Sequence, residues 1–379
     1  MLDTSFAVHA NRLTFFALAY KIKATKSCAN HSAKKGILHM AVTIKDVAAL
    51  AGVSPSTVSR TCKDNPSISR ETKERVRRAM AQLGYEPNFP ASEQTGEPNR
   101  HMIGIILPPS SRETYENPFY LEIIRGISQF CNSHYYLNTV ITGQDDEEIL
   151  TAIRSMVRHE QADGFVLLYS RKNDVITEYL YNEGLLYVLI GKPYQYANQT
   201  IYINNDNLLA GQEATEYLLS LGHRRIGYLG SSSELFFSAD RRTGYQLALQ
   251  QHGLIVDPSF CIEVPCTPPE DLTPIRTLLE QEDRPTAIVV SDDILALVLV
   301  QLCKQVGLSI PDDLSILSFN DSLFARLSVP KLSSVDVNSF QLGIESASQL
   351  INHIENPNLL AAKIIVPYSL IERDSCRKL

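Results

Sequence analysis

The chain contains no tryptophan, and its seven cysteines (Cys28, Cys62, Cys131, Cys261, Cys266, Cys303 and Cys376) include no C-x-x-C pair and follow no regular interval. That scatter argues against a zinc ribbon or a disulfide-built scaffold and fits a reducing cytosol. No apolar run approaches the ~20 residues of a membrane-spanning helix. The longest candidate near the start, Leu13 to Tyr20, is far too short, and most of the lysines around it follow the apolar stretch rather than precede it as in a secretory signal. Catalytic signatures are missing too: there is no G-x-G-x-x-G after a strand, no G-x-x-x-x-G-K-[ST], no H-E-x-x-H and no G-x-S-x-G. His223, at an expected helix end, reads as structural. A sugar-processing enzyme using one carboxylate of Asp292–Asp293 as a base is the weaker alternative. The expectation is therefore a cytoplasmic protein with no membrane association, no cofactor, no metal and no enzymatic activity.

What the sequence does contain is a charge asymmetry. The formal net charge of −7 over 379 residues divides into +5 for residues 1–39, +3 for 40–88 and −15 for the remainder. A basic head on an acidic body indicates that one end meets a polyanion. With 44% hydrophobic and 20% charged residues the chain is globular, and its length suggests two or three domains. Residues 1–39 show no sustained period, and Met40 directly precedes a strongly patterned segment. The expectation is that translation begins at Met40 and that 1–39 is an extension.

Residues 40–84 read as three short helices. Thr43-x-x-Asp46 starts the first, Ile44, Val47, Ala48 and Ala51 recur at helical spacing, and Gly52 ends it. Ser54 is placed to cap the second, with Pro55 at its first position, and the third runs from Ser69 to Gly84. Two helices joined by a short Gly-containing turn form a helix-turn-helix, whose second helix enters the major groove by its N-terminus. Arg60 can bond a guanine edge bidentately, and Ser56 can bond either kind of edge. Lys45, Lys63, Arg75 and Arg78 suit phosphate contacts. Residues 85–100, with three prolines and a glycine, read as a hinge or linker.

From residue 101 to 379 strand-like and helical runs alternate. Strands are expected at Ile103–Leu107, Leu137–Ile141, Phe165–Tyr169, Tyr187–Ile190, Ile226–Leu229, Cys261–Val264, Ala287–Val290 and Ser315–Phe319, with amphipathic helices between them. This pattern implies two doubly wound parallel-sheet subdomains, with a ligand cleft beyond the carboxyl ends of their strands. Asn117-Pro118-Phe119-Tyr120, Gly191-Lys192-Pro193, Asn205-Asp206 and Asp292-Asp293 follow strands or crossovers, and Arg241 is expected to open a helix, Arg241–Gln251, after the Ser231–Phe237 loop. Aromatic faces, an arginine and carboxylates together suit a polyhydroxylated ligand.

These residues carry a resemblance. Thr43-Ile-Lys-Asp-Val-Ala-Ala-Leu-Ala-Gly-Val-Ser-Pro-Ser-Thr-Val-Ser-Arg60 and Gly84-Tyr-Glu-Pro-Asn88 resemble the DNA-binding head of the lactose/galactose repressor (LacI/GalR) family. Ala162-Asp-Gly-Phe-Val166, Leu221-Gly-His-Arg-Arg-Ile226, Arg241-Arg-Thr-Gly244, Val290-Ser-Asp-Asp293 and Phe319-Asn-Asp321 are similar to its body, which is of the type I periplasmic-binding-protein kind. The resemblance covers about residues 40 to 379. It implies that Pro55, Ser56 and Arg60 read bases within a DNA-facing set that also holds Thr43, Lys45, Ser54, Thr57, Ser59 and Asn88. It implies an effector site with Arg241, Asp293 and a stacking Phe119, to which Lys192 and Asn320 are added. The family's hinge arginine and leucine fall on Ser92 and Gln94, a departure that puts the hinge contact with the minor groove in doubt. Leu107-Pro-Pro109, Asn117-Pro-Phe-Tyr120 and Gly191-Lys-Pro193 look most like repressors of maltose and maltodextrin genes.

The implied function is a homodimeric repressor of sugar genes, bound to double-stranded operator DNA and released by a small carbohydrate such as maltose or maltodextrin. Residues 101–379 would bind effector and dimerise. Two alternatives are a catabolite-control regulator that takes a phosphorylated carrier protein as corepressor and a sugar-binding protein without a regulatory role.

Overall fold

The computed structural model describes residues 42–62, 65, 68–85, 101–109, 117–159, 161–265 and 268–379. The leading extension, the proposed start at Met40, and the linker from 86 to 100 with Asn88, Ser92 and Gln94 lie outside the described residues.

The head is three helices, α1 (Ile44–Ala51), α2 (Pro55–Cys62) and α3 (Arg70–Leu83). Each start has a physical cause. The Thr43 backbone N–H donates to the Asp46 carboxylate at 2.8 Å, Ser54 Oγ accepts from the Thr57 N–H at 3.2 Å, and Ser69 Oγ accepts from the Thr72 N–H at 3.2 Å. These bonds satisfy donors that a helix end leaves open. Gly52 closes α1 at φ 65°, which a residue with a Cβ adopts only at a cost. Ile44, Val47, Ala48, Ala51, Val58, Val76 and Ala79 form the small core.

The body begins with β1 (Met102–Ile106), α4 (Pro118–Ser133), β2 (Leu137–Ile141), α5 (Asp146–Arg158), β3 (Gly164–Leu167), α6 (Val175–Asn182), β4 (Tyr187–Ile190) and β5 (Ile201–Asn204). It continues through α7 (Asn207–Ser220), β6 (Ile226–Ser231), α8 (Phe236–Gln251), β7 (Cys261–Val264), α9 (Thr273–Glu280), β8 (Ala287–Val290), α10 (Asp293–Gln305) and β9 (Ser315–Phe319). The last elements are α11 (Leu323–Leu327), β10 (Ser333–Asp336), α12 (Ser339–Glu355), β11 (Lys363–Ile365) and β12 (Ser369–Ile371). Two six-stranded sheets result, in the orders β11-β5-β4-β3-β1-β2 and β12-β10-β9-β8-β6-β7. Among the described residues, every pairing between these strands is parallel except β12 with β10. Each sheet has an apolar core on both faces, as parallel sheets require.

The chain passes between the two lobes three times, after β5, after β10 and after β11. Asn205 ties these crossings together: its Nδ2 donates to the Val337 carbonyl at 3.0 Å and to the Val366 carbonyl at 2.9 Å. The side chain is buried, so its loss leaves two carbonyls without their partner. Asn205→Ala is expected to lower stability by about 2–4 kcal/mol. Asn205→Asp should cost more, because it sets a carboxylate against those carbonyls. Thermal unfolding of both variants checks this, and an unchanged midpoint would mean the crossings are held by other contacts.

Within each lobe one helix pair crosses at glycines. A Cβ on Gly126 of α4 would lie 2.2 Å from the Phe340 carbonyl oxygen of α12, and one on Gly244 of α8 would lie 2.0 Å from the Leu208 carbonyl oxygen of α7. The second crossing matters for the site, because α7 and α8 carry two of its polar side chains.

Candidate nucleic-acid interface and effector cleft

In the head, Ser54 serves as the cap of α2: besides accepting from the Thr57 N–H, its Oγ lies 2.8 Å from Ser56 Oγ and 2.9 Å from Thr57 Oγ1. Thr57, Ser59 and Pro55 are buried, Lys45, Ser56 and Arg60 are half-buried, and Thr43 and Ser54 are exposed. Thr43 is committed to Asp46, whose carboxyl those bonds hold below its ordinary range. The head thus gathers the hydroxyls and cations expected of a reading surface along α2 and the start of α1, with several of them covered in this conformation.

The second candidate site is a cleft of about 680 Å³ between the lobes, lined from the first by Phe119, Tyr120 and Tyr169 and from the second by Arg241, Asp292 and Asn320. Such a volume falls within the ~300–1,000 Å³ typical of small-molecule sites. Phe119 is placed by its own helix start: the Asn117 side chain accepts from the Phe119 N–H at 3.0 Å and Pro118 occupies the first turn. Its ring meets the Tyr120 ring edge-on at 5.4 Å and packs against the cores of both lobes.

Arg241 lies in the second turn of α8, since this helix starts at Phe236, five residues before the expected start. Its side chain is fixed on two sides. Nε donates to Asn207 Oδ1 at 2.9 Å, Nη1 donates to the Ser291 carbonyl at 2.6 Å, and the guanidinium lies 4.2 Å from the centre of the Phe319 ring. Burial pushes its pKa down to about 10, with Asp292 and Asp293 among the charges that oppose the fall. At neutral pH it remains a cation in a dry setting, where its bonds to a polar ligand gain strength.

The two aspartates divide differently from the sequence-based expectation. Asp292, not Asp293, lines the cleft. One oxygen of Asp292 caps α10 by accepting from the N–H groups of Ile294 and Leu295, and the other accepts from Ser231 and Ser291 hydroxyls at 3.3 and 3.2 Å. Asp293 points into the lobe, where it accepts from Ser318 Oγ at 2.5 Å, Ser334 Oγ at 3.2 Å and the Ser322 N–H at 2.6 Å. Adjacent residues at a helix start lie about 100° apart around the axis, so only one of them can face the cleft.

Burial pushes the Asp293 carboxyl up to about 6 from its ordinary value of 3.8, so the folded chain holds that proton more tightly than the unfolded chain does. This contribution is present below about pH 4 and is lost as pH rises to about 6. Wild type should therefore gain stability relative to Asp293→Asn as pH falls from 7 to 4.5, by ~1–3 kcal/mol. Paired melting curves at the two pH values check it; a difference that stays constant would place the titration elsewhere.

Lys192 takes a different position from the one expected. The cleft is lined by Gly191, while the Lys192 ammonium extends to Asp240 of the other lobe at 3.8 Å. It joins a set of contacts across the cleft mouth: Arg171 pairs with Leu235 as an antiparallel bridge, and Lys172 Nζ lies 3.3 Å from Glu234. Arg171 is held from its own lobe by Asp146 at 2.5 Å and Asp174 at 2.7 Å. Asn207 and Tyr169 are cleft residues that sequence reasoning did not single out. Among the described residues the buried Tyr169 hydroxyl has no hydrogen-bond partner, and the signal in its sequence was its place at the end of an expected strand.

A DNA-reading head joined to a two-lobed body with a polar, aromatic-lined cleft is the build of a ligand-responsive regulator. The model for bacterial regulatory proteins of the lacI family matches residues 43–88, and that for a periplasmic binding protein-like domain matches residues 215–376. The HTH-type transcriptional regulator MalR of Streptococcus pneumoniae is 35% identical over 340 residues, covering 88% of this chain and all of the relative. MalR of Staphylococcus xylosus is 33% identical over 338 residues, covering 88% of this chain and 98% of the relative. Among solved structures, a transcriptional regulator CelR–cellobiose complex aligns with a TM-score of 0.69 at 26% identity, covering 88% of this chain and 99% of that one. This chain belongs to the LacI family of bacterial transcriptional regulators. It is a DNA-binding regulator and not an enzyme, and among the described residues no helix is long and apolar enough to cross a membrane.

Proposed function

We propose that this protein is a cytoplasmic homodimeric repressor of maltose or maltodextrin genes, released from operator DNA by the sugar bound in its cleft. The observation that carries the reading is the buried Arg241 guanidinium, held by Asn207 and Ser291 in a cleft whose opposite wall presents Phe119. A cation with fixed direction bonds sugar hydroxyls, and an aromatic face covers the apolar side of a pyranose ring. Likeness to two MalR regulators supports the choice of sugar. The DNA-facing residues are Thr43, Lys45, Ser54, Pro55, Ser56, Thr57, Ser59, Arg60 and Asn88, with Arg60 as the base reader. Effector contacts come from Phe119, Arg241, Asp292 and Asn320. Asp293 braces the lobe, and Lys192 acts at the rim.

Sugar that touches both lobes changes their relative population of poses, and it releases DNA to the extent that it favours the pose that binds DNA poorly. Exposed apolar side chains on one edge of the first lobe support the dimer: Leu121 on α4, Tyr135, and Leu137 and Val140 on the edge strand β2. Calorimetry with maltose, cellobiose and ribose, followed by gel shift on DNA upstream of maltose-utilisation genes with and without the sugar that binds, tests the proposal. Maltose is expected to bind and to weaken the DNA complex roughly 5- to 150-fold. Binding of another sugar alone, or an unchanged DNA complex, would overturn the maltose assignment.

A further inference from the structure

We infer that the first lobe carries a built seat for the DNA-reading face of the head, formed by Tyr181, Gly184 and Tyr196, so that DNA and this seat compete for the same residues. The inference rests on the assignment of Lys45, Pro55 and Arg60 to DNA. Tyr181, on α6, and Tyr196, in the turn after β4, stack with ring centres 3.8 Å apart and 4° between their planes. The Lys45 ammonium lies 4.8 and 4.7 Å from the two ring centres and donates to the Tyr196 hydroxyl at 3.1 Å. A cation over two aromatic faces is a directed contact.

The seat is shaped before the head arrives. Tyr196 is held at φ 57°, a left-handed backbone unusual for a bulky residue. Its carbonyl accepts from the Gln199 N–H at 2.8 Å, the Thr200 N–H at 3.0 Å and Thr200 Oγ1 at 3.1 Å, so three bonds impose that conformation. Strain of this kind persists only where the surroundings enforce it. At Gly184, φ +64°, a Cβ would lie 2.7 Å from the Pro55 carbonyl oxygen, so this position admits the start of α2 only because it lacks a side chain.

The docked surface is the reading surface. The Pro55 carbonyl oxygen faces Gly184 of the lobe, and the Arg60 guanidinium is drawn down to about 10 by its burial, with Asp163 of the first lobe as the opposing charge. The space left between head and lobe, about 720 Å³, is lined by Lys45, Ser54 and Arg60 on one side and Tyr181, Tyr187 and Tyr196 on the other. It has room for roughly two dozen waters. It cannot hold a duplex whose major groove alone is ~12 Å wide. DNA binding therefore requires the head to leave the seat, and the seat lowers the DNA affinity of the whole chain.

Fluorescence anisotropy of the intact protein with a labelled 30-base-pair random-sequence duplex at low salt tests this. The double variant Tyr181→Ala, Tyr196→Asn keeps a residue that tolerates the left-handed backbone and removes both rings. It should bind roughly three- to tenfold more tightly than wild type. Unchanged or weaker binding by the folded double variant overturns the inference. Because the chain has no tryptophan, Tyr196→Trp supplies a single indole at the seat as an independent readout should the double variant not fold. Its emission should shift to the red as duplex saturates the protein, and a constant spectrum with DNA bound overturns the competition. If wild type and variants all fail to bind duplex, the DNA assignment of Lys45, Pro55 and Arg60 fails, and the inference with it.

Discussion

Arg241→Met is expected to weaken effector binding at least a hundredfold while leaving the DNA affinity of the sugar-free protein unchanged. Two of the guanidinium's donors are spent on Asn207 and the Ser291 carbonyl, which leaves the others for a ligand in the cleft. Each hydrogen bond to a charged group is worth about 1.5–3 kcal/mol, so losing two weakens binding by ~10²–10⁴. Methionine fills much of the same volume, but it leaves Asp292 without a nearby cation. That carboxylate keeps its bonds to Ser231, Ser291 and the start of α10, which lets the lobe fold at reduced stability. Arg241→Lys should not restore binding, since a single ammonium cannot span Asn207, Ser291 and a ligand together. Calorimetry with the sugar that wild type binds, alongside anisotropy on DNA, separates the outcomes. Wild-type sugar affinity in Arg241→Met would remove Arg241 from the site.

Gly244→Val is expected to destabilise the second lobe by about 3 kcal/mol or more and to abolish the sugar response in whatever fraction still folds. The valine Cβ would have to sit where the Leu208 carbonyl oxygen and the Gln212 amide nitrogen are, at 2.0 and 2.6 Å. Backbone atoms of a packed helix cannot yield as a side chain can, so α8 must move away from α7. Arg241 rides on α8 and Asn207 on α7, and their 2.9 Å bond spans this crossing. A shift of 1 Å would break it. Thermal unfolding and sugar titration of Gly244→Ala and Gly244→Val check this, with the larger side chain giving the larger loss. A Gly244→Val protein that melts with wild type would show that the helices part at no cost.

The glycine explains a motif that the sequence presented without a reason. Arg241-Arg-Thr-Gly244 joins the cationic side chain to the residue that lets its helix approach its neighbour, so the spacing of three keeps both on one side of α8. The expectation that Arg241 opens its helix failed for a local reason. Leu235 precedes α8 without a side-chain cap, so nothing in the sequence marks Phe236 as the start. The strands not foreseen, β5, β10, β11 and β12, are three or four residues long, and most carry serine, asparagine or lysine rather than an unbroken apolar run. Their place depends on partners far along the chain. β12 pairs antiparallel with β10, which alternation of strand and helix does not signal.

Local chemistry determined the head. Thr43 with Asp46, Ser54 with Thr57, and Gly52 act over a few residues, so the caps and the turn follow from neighbours in the sequence. The alternation of apolar strands and amphipathic helices likewise determined two parallel-sheet lobes, because only that arrangement buries both faces of such strands. Which aspartate meets the cleft, where Lys192 reaches, and how Asn205 gathers three crossings were decided by the tertiary structure alone. These depend on the rotation of a helix about its axis and on groups more than a hundred residues apart, such as Asn205 and Val337. Residue spacing along the chain does not encode those quantities.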